Sequence, residues 1–148
     1  MPIADQVTEQ MKQAMKAKDE RRLVALRSMR TAFLNEMKKD GSTSVPDEVC
    51  EGLLRKLEKQ RKESIEAFTN AGREELAAAE RAELAVIQEF LPRLADEEKT
   101  REWVEAAIAQ TGAASAKDVG KVMGALMKAH KGGIDGDLAR RLVQERLA

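Results

Sequence analysis

Apolar residues in this chain recur at intervals of three and four and nowhere alternate with polar ones, a rhythm that allows helices and little else. Ile3, Val7, Met11, Ala14 and Met15 make one stripe, ending near Lys18-Asp19. Leu23, Leu26, Met29, Arg30, Phe33 and Met37 make a second, which stops at Gly41, a residue suited to a left-handed C-cap. After the loop DGSTSVP, Pro46 just inside a new helix and Asp47-Glu48 at its positive end open a third segment. Val49, Leu53, Leu57, Ile65 and Phe68 give that helix its apolar line, and TNAG breaks it. A fourth runs from about Arg73 through Leu76, Leu84 and Ile87 to Phe90, where Pro92 halts it.

Beyond PRLADEEK the pattern restarts, with Asp96 as N-cap. A fifth helix carries Trp103, Val104 and Ile108 and ends at Gly112. A sixth opens at Ser115-x-x-Asp118, an Asp variant of the capping box, carries Val119, Val122, Met123, Leu126 and Met127, and ends in HKGG. The seventh starts near Asp135 and holds Leu138, Leu142, Val143 and Leu147. The expected fold is all-α: a four-helix N-terminal domain over 1–92 and a three-helix tail domain over 95–148. Aromatic residues are 3% of the chain, so cores must come from Leu, Ile, Val, Met and Ala. Only Phe33, Phe68, Phe90 and Trp103 are available to stack on a base or sugar.

Formal charge sums to zero but is unevenly spread. Nine bases meet three acids from Met11 to Lys39, four bases meet ten acids from Glu74 to Glu105, and seven bases meet four acids from Lys117 onward. A polyanion-binding end, or two halves that attract one another, would each produce this asymmetry. The polar start MPIADQVTEQ is unlike a secretory leader, and no apolar run approaches the ~18–20 residues that span a bilayer. A cytoplasmic protein without membrane contact is expected.

Residues able to carry chemistry are few. His130, the only histidine, lies at a helix end where the macrodipole favours a cation. Cys50, the only cysteine, sits between Val49 and Glu51 and reads as a buried structural thiol. No Walker loop, G-x-G-x-x-G or G-x-S-x-G is present. Neither a catalytic residue, nor a metal ligand, nor a cofactor is assigned. The run RKLEKQRKES from Arg55 to Ser64 wraps most of a helix and reads as a solvated face, with phosphate contact as the alternative.

The tail domain is more pointed. Lys121, Lys128 and Lys131 line up near helix six, and Arg140 and Arg141 come early in helix seven. The start of that helix, beside a glycine-rich turn, would also suit a phosphate, unless Asp135 and Asp137 cap it. Gly120 and Gly124, four apart on one face, each cost a helix about 1 kcal/mol relative to Ala. That cost implies a close approach: tight helix packing inside the tail domain, or a ligand. Gly132 and Gly133 end helix six, and Ile134-Asp135-Gly136-Asp137 turns the chain into helix seven.

Three blocks resemble the GatB/YqeY family: LRSMRTAFLNEMK from Leu26, EKQRKESIEAFTNAGREELAAAERAELAVIQEFLP from Glu58, and SAKDVGKVMGALMKAHKGGIDGDLARRLVQERL from Ser115. The resemblance spans essentially the whole chain and implies a small YqeY-like protein. It is similar to the helical C-terminal part of the B subunit of the tRNA-dependent amidotransferase, whose tail domain contacts tRNA. Gly120, Lys121 and Met123 fall on the family's G-K-V-M motif, and Gly133, Asp135 and Gly136 on its G-x-D-G turn. Gly124, Lys128, Lys131, Arg140 and Arg141 are added on packing and electrostatic grounds. In the B subunit the chemistry resides in a separate large domain, and glutamine hydrolysis in another subunit. The expectation is therefore a non-catalytic, tRNA-associated accessory protein. Its rivals are a module that docks an aminoacyl-tRNA synthetase or amidotransferase subunit, and a trans-acting component of a carbon–nitrogen ligase that uses glutamine as amido-N-donor.

Overall fold

The computed structural model describes residues 1–148 as seven α-helices and one turn of 3-10 helix, with no strand. The all-α expectation holds. The chain divides into two compact units, Met1–Leu91 and Pro92–Ala148.

In the first unit α1 (Ile3–Ala17), α2 (Glu20–Asp40), α3 (Asp47–Asn70) and α4 (Glu74–Gln88) follow one another. Helix α2 packs against the other three and buries Leu23, Leu26, Met29 and Phe33 along one face. Val7, Leu54 and Ile87 meet that line in a single core. Fully burying a side chain of this size contributes about 1.5–3 kcal/mol, so α2 is the spine of the unit. Its ends are well fixed. Asp19 accepts the N–H of Arg22 at 3.2 Å, and Gly41 closes the helix at a φ of 69°. Asp47, the first residue of α3, accepts the N–H of Ile3 at 2.9 Å and so ties the starts of α1 and α3 together.

Helix α3 differs from its sequence reading by one residue around the axis. Pro46 is the N-cap rather than the first helical residue, and Val49 is 37% exposed. The buried line is Cys50, Leu54 and Glu58, with Leu53 and Leu57 half-buried beside it. The rotation brings polar groups into the α3–α4 seam. Glu58 accepts from Arg55 at 3.2 Å and from Gln88 at 3.1 Å, while Arg61 Nε lies 2.9 Å from Glu83 and 3.3 Å from Glu80. Two of the five bases in the run expected to be solvated therefore act inside the unit: Arg55 and Arg61 are half-buried, and Lys56, Lys59 and Lys62 are exposed.

The second unit packs α5 (Glu97–Thr111), α6 (Val119–Ala129) and α7 (Gly136–Leu147) around Val104, Val122, Leu126, Leu142 and Val143. Asp96 caps α5 by accepting the N–H of Lys99 at 2.8 Å, and Gly112 ends it at a φ of 68°. The entry to α6 is only half of the expected capping box. Ser115 makes no side-chain cap bond, and a 3-10 turn, Ala116–Asp118, precedes the helix. The Asp118 carboxylate instead reaches back to the N–H of Ala114 at 2.9 Å.

Candidate functional site

The outer face of α6 is where the expected site residues gather. Lys121, Gly124 and Lys128 are spaced three and four apart, so they share one face, with Gly120 on its flank, and all four are exposed. A Cβ built on Gly120 or Gly124 meets nothing within 4 Å. Close helix packing inside the unit therefore does not account for these glycines. Their backbone is presented outward, and the approach that their helix cost implied is not made within this unit.

Beside this face lies an open cleft of about 300 Å³ lined by Met123, Gly124 and Met127 of α6 and by Gly136, Asp137 and Arg140 of α7. Met127, placed by periodicity in the helix's apolar stripe, is 43% exposed, whereas Met123 at 6% belongs to the core. Arg140 thus stands across the cleft from Gly124. Arg141, its neighbour in sequence, turns elsewhere and pairs with Glu97 at 3.4 Å and Glu145 at 3.6 Å. The two arginines do not act together. Lys131 is exposed in the turn that follows α6.

The remaining motif residues build the turn that aims α7. His130 ends α6 by donating its N–H to Leu126, Gly132 adopts a φ of 78°, and the N–H of Gly133 returns to His130 at 2.9 Å. The carbonyl of Gly133 then accepts the N–H of Ala95 at 2.9 Å. Asp135 accepts the N–H groups of Asp137 and Leu138, each at 3.1 Å. Those first-turn amides are the ones a phosphate would need, so the start of α7 is closed to the anion that its sequence suggested.

Electrostatics follow from these bonds. The N–H of Ala114 holds the Asp118 carboxyl below the usual carboxylate range, and the charge of Lys121 adds to the effect. Burial, reinforced by the nearby Asp47 carboxylate, pushes the Cys50 thiol up to about 11, so at neutral pH it is a protonated core group. Its Sγ lies 3.6 Å from the Val45 carbonyl. His130 stacks on Trp103 with ring centroids 3.7 Å apart and planes 5° from parallel. Nothing in the sequence announces that pair, because the partners lie on different helices and neither belongs to a periodic signal they share.

These features belong to an all-α helical protein of two compact units. The chain belongs to the Yqey-like protein family, which it matches over residues 4–147. Its relatives include proteins named "Altered inheritance of mitochondria protein 41, mitochondrial". That of Pyrenophora tritici-repentis is 31% identical over 141 residues, covering 91% of this chain and 75% of the relative. That of Vanderwaltozyma polyspora is 36% identical over 84 residues, covering 57% of this chain and 45% of the relative. A Saccharomyces cerevisiae relative is 34% identical over 84 residues, with the same 57% and 45% coverage. The alignments to the two yeast proteins thus span less than half of those proteins' length. No helix of the chain is long and apolar enough to cross a membrane.

Proposed function

We propose that this chain is a non-catalytic accessory protein that docks on the sugar–phosphate backbone of a folded RNA, a tRNA in the first instance, through the outer face of α6. The observation that carries the reading is the pair of exposed helical glycines, Gly120 and Gly124, with open space around them. Each would be replaced by Ala with a gain in helix stability unless something outside the chain needs the backbone bare. Lys121 and Lys128 on the same face, and Arg140 across the cleft, supply the charge that a phosphate backbone attracts. RNA helices present their phosphates and 2′-hydroxyls over a wide, shallow groove, so such docking reads shape and needs no stacking aromatics. The non-catalytic part of the reading is supported by where the two reactive side chains sit, Cys50 in the core and His130 against Trp103. A compartment that holds tRNA, the cytoplasm or, as in the names of the relatives, the mitochondrion, is where such a protein would work.

The test is total tRNA binding, by anisotropy or filter retention, across a salt series. Gly124→Ala is expected to raise stability by about 1 kcal/mol and yet weaken tRNA binding. Lys121→Glu with Lys128→Glu should weaken it further and flatten its dependence on salt, while Arg141→Glu, which faces Glu97, should change little. If affinity survives both the glycine and the lysine variants, the α6 face is not an RNA surface.

A further inference from the structure

The first unit carries a charge pattern that the α6 face does not use. Five of its arginines are held by carboxylates: Arg22 by Glu89 at 2.7 Å, Arg55 by Glu58 at 3.2 Å, Arg61 by Glu83 at 2.9 Å, Arg73 by Glu75 and Arg81 by Glu74. The acids of α4 are taken up by Arg61, Arg73 and Arg81, whereas in α1 and α2 only Arg22 and Lys39 have a carboxylate partner. Lys12, Lys16, Arg21, Arg27, Arg30 and Lys38 are exposed, and none of them forms an ion pair. Arg27, Arg30, Leu34 and Lys38 follow one another at three- and four-residue spacing and share one face of α2.

That face borders a cleft of about 240 Å³ between α1, α2 and the loop that follows α2. Phe33, Met37 and Val45 line it with apolar surface, Leu34 is 38% exposed at its edge, and Arg30 lines it from α2 while Asp5 does so from α1. Pockets for drug-sized molecules run from about 300 to 1,000 Å³, so this one suits a single bulky side chain better than a cofactor. An RNA would use the charge but leave the cleft empty. A base needs an exposed aromatic face to stack on, and Phe33 is only 3% exposed.

We propose that this surface binds an acidic segment of a partner protein, with one bulky apolar side chain of that segment in the cleft and its carboxylates against Arg30 and the ridge of Arg27 and Lys38. The apolar anchor supplies desolvated contact and the unpaired cations select an acidic flank, the division of labour usual at peptide-binding faces.

The experiment measures binding of the full chain to three fluorescein-labelled probes: a short Asp/Glu-rich peptide with one central Leu, the same peptide with Ser in its place, and an RNA duplex of matched charge. The Leu peptide is expected to bind saturably and to shift the amide resonances of Phe33, Leu34 and Val45. The Ser peptide should bind about tenfold more weakly, and Arg30→Glu should cost the Leu peptide about tenfold. Leu34→Asp should weaken it as well, and Lys62→Glu on the exposed side of α3 should not. Equal binding of the Leu and Ser peptides overturns the proposal, as does the absence of saturable binding. So does tighter binding of the duplex that is lost in Arg30→Glu, which would make the surface a phosphate-binding one.

Discussion

Lys18 ends α1 at a φ of 57°, the one non-glycine residue of the chain in the left-handed region. That conformation costs an L-residue with a Cβ roughly 1–2 kcal/mol, and glycine is the usual occupant of such a helix end. Lys18→Gly is therefore expected to stabilise the protein by up to about 1 kcal/mol, after the extra freedom of glycine in the unfolded chain is subtracted. Urea unfolding with an unchanged m-value would show it, and a loss of stability would mean that the lysine is not strained there. Residue-scale signals of this kind vary in how legible they are. Gly41, Asp96 and Gly112 stand out in the sequence because each does a job that few residue types can do, and each is a cap in the structure. Lys18 does not stand out, because its conformation is imposed by the short link between α1 and α2. Gly120 and Gly124 were legible as costly residues, but what their cost serves depends on which face they occupy.

Periodicity fixes that α3 and α6 are helices more firmly than it fixes which way they face. An apolar stripe four or five residues wide has two flanks, and packing chooses between them. In α3 the choice falls on Cys50, Leu54 and Glu58, leaving Val49 outside, because the seam with α4 also takes Arg55, Arg61 and Gln88. In α6 it falls on Val122, Met123 and Leu126, leaving Met127 at the cleft. The ionic part of the α3–α4 seam makes its own prediction. Arg61, with its side chain 19% exposed, sits between Glu80 and Glu83, but its Nε forms a directed hydrogen bond with neither. Arg61→Met should destabilise by about 1–2 kcal/mol, between the values for exposed and for buried pairs, since it leaves two neighbouring carboxylates without a counter-charge. A double-mutant cycle with Glu83→Gln checks it, and strict additivity would show that Arg61 contributes through its packing alone.

Across the whole molecule, two apolar clusters are found, one for each unit. Leu142, 1% exposed in the second cluster, should cost about 2–5 kcal/mol when truncated to Ala. That is most of the stability a unit of this size can have. Hydrogen exchange on Leu142→Ala is expected to show lost protection over Pro92–Ala148 and retained protection along α2; uniform loss over both units would mean that the chain unfolds as one. Net charge gave no hint of the pattern seen at this scale. A sum of zero conceals an α4 whose acids are paired, an α1–α2 surface most of whose bases are not, and a lysine-flanked face on α6.

The stacked rings of Trp103 and His130 have a practical consequence. They are the only indole and the only imidazole in the chain, and both belong to Pro92–Ala148. Tryptophan emission is therefore a spectroscopic channel for that unit alone, sensitive to the separation of the two rings, whereas far-ultraviolet circular dichroism sums the helices of both units. Recording the two side by side during a melt separates the two units' transitions in the native sequence, with no label attached.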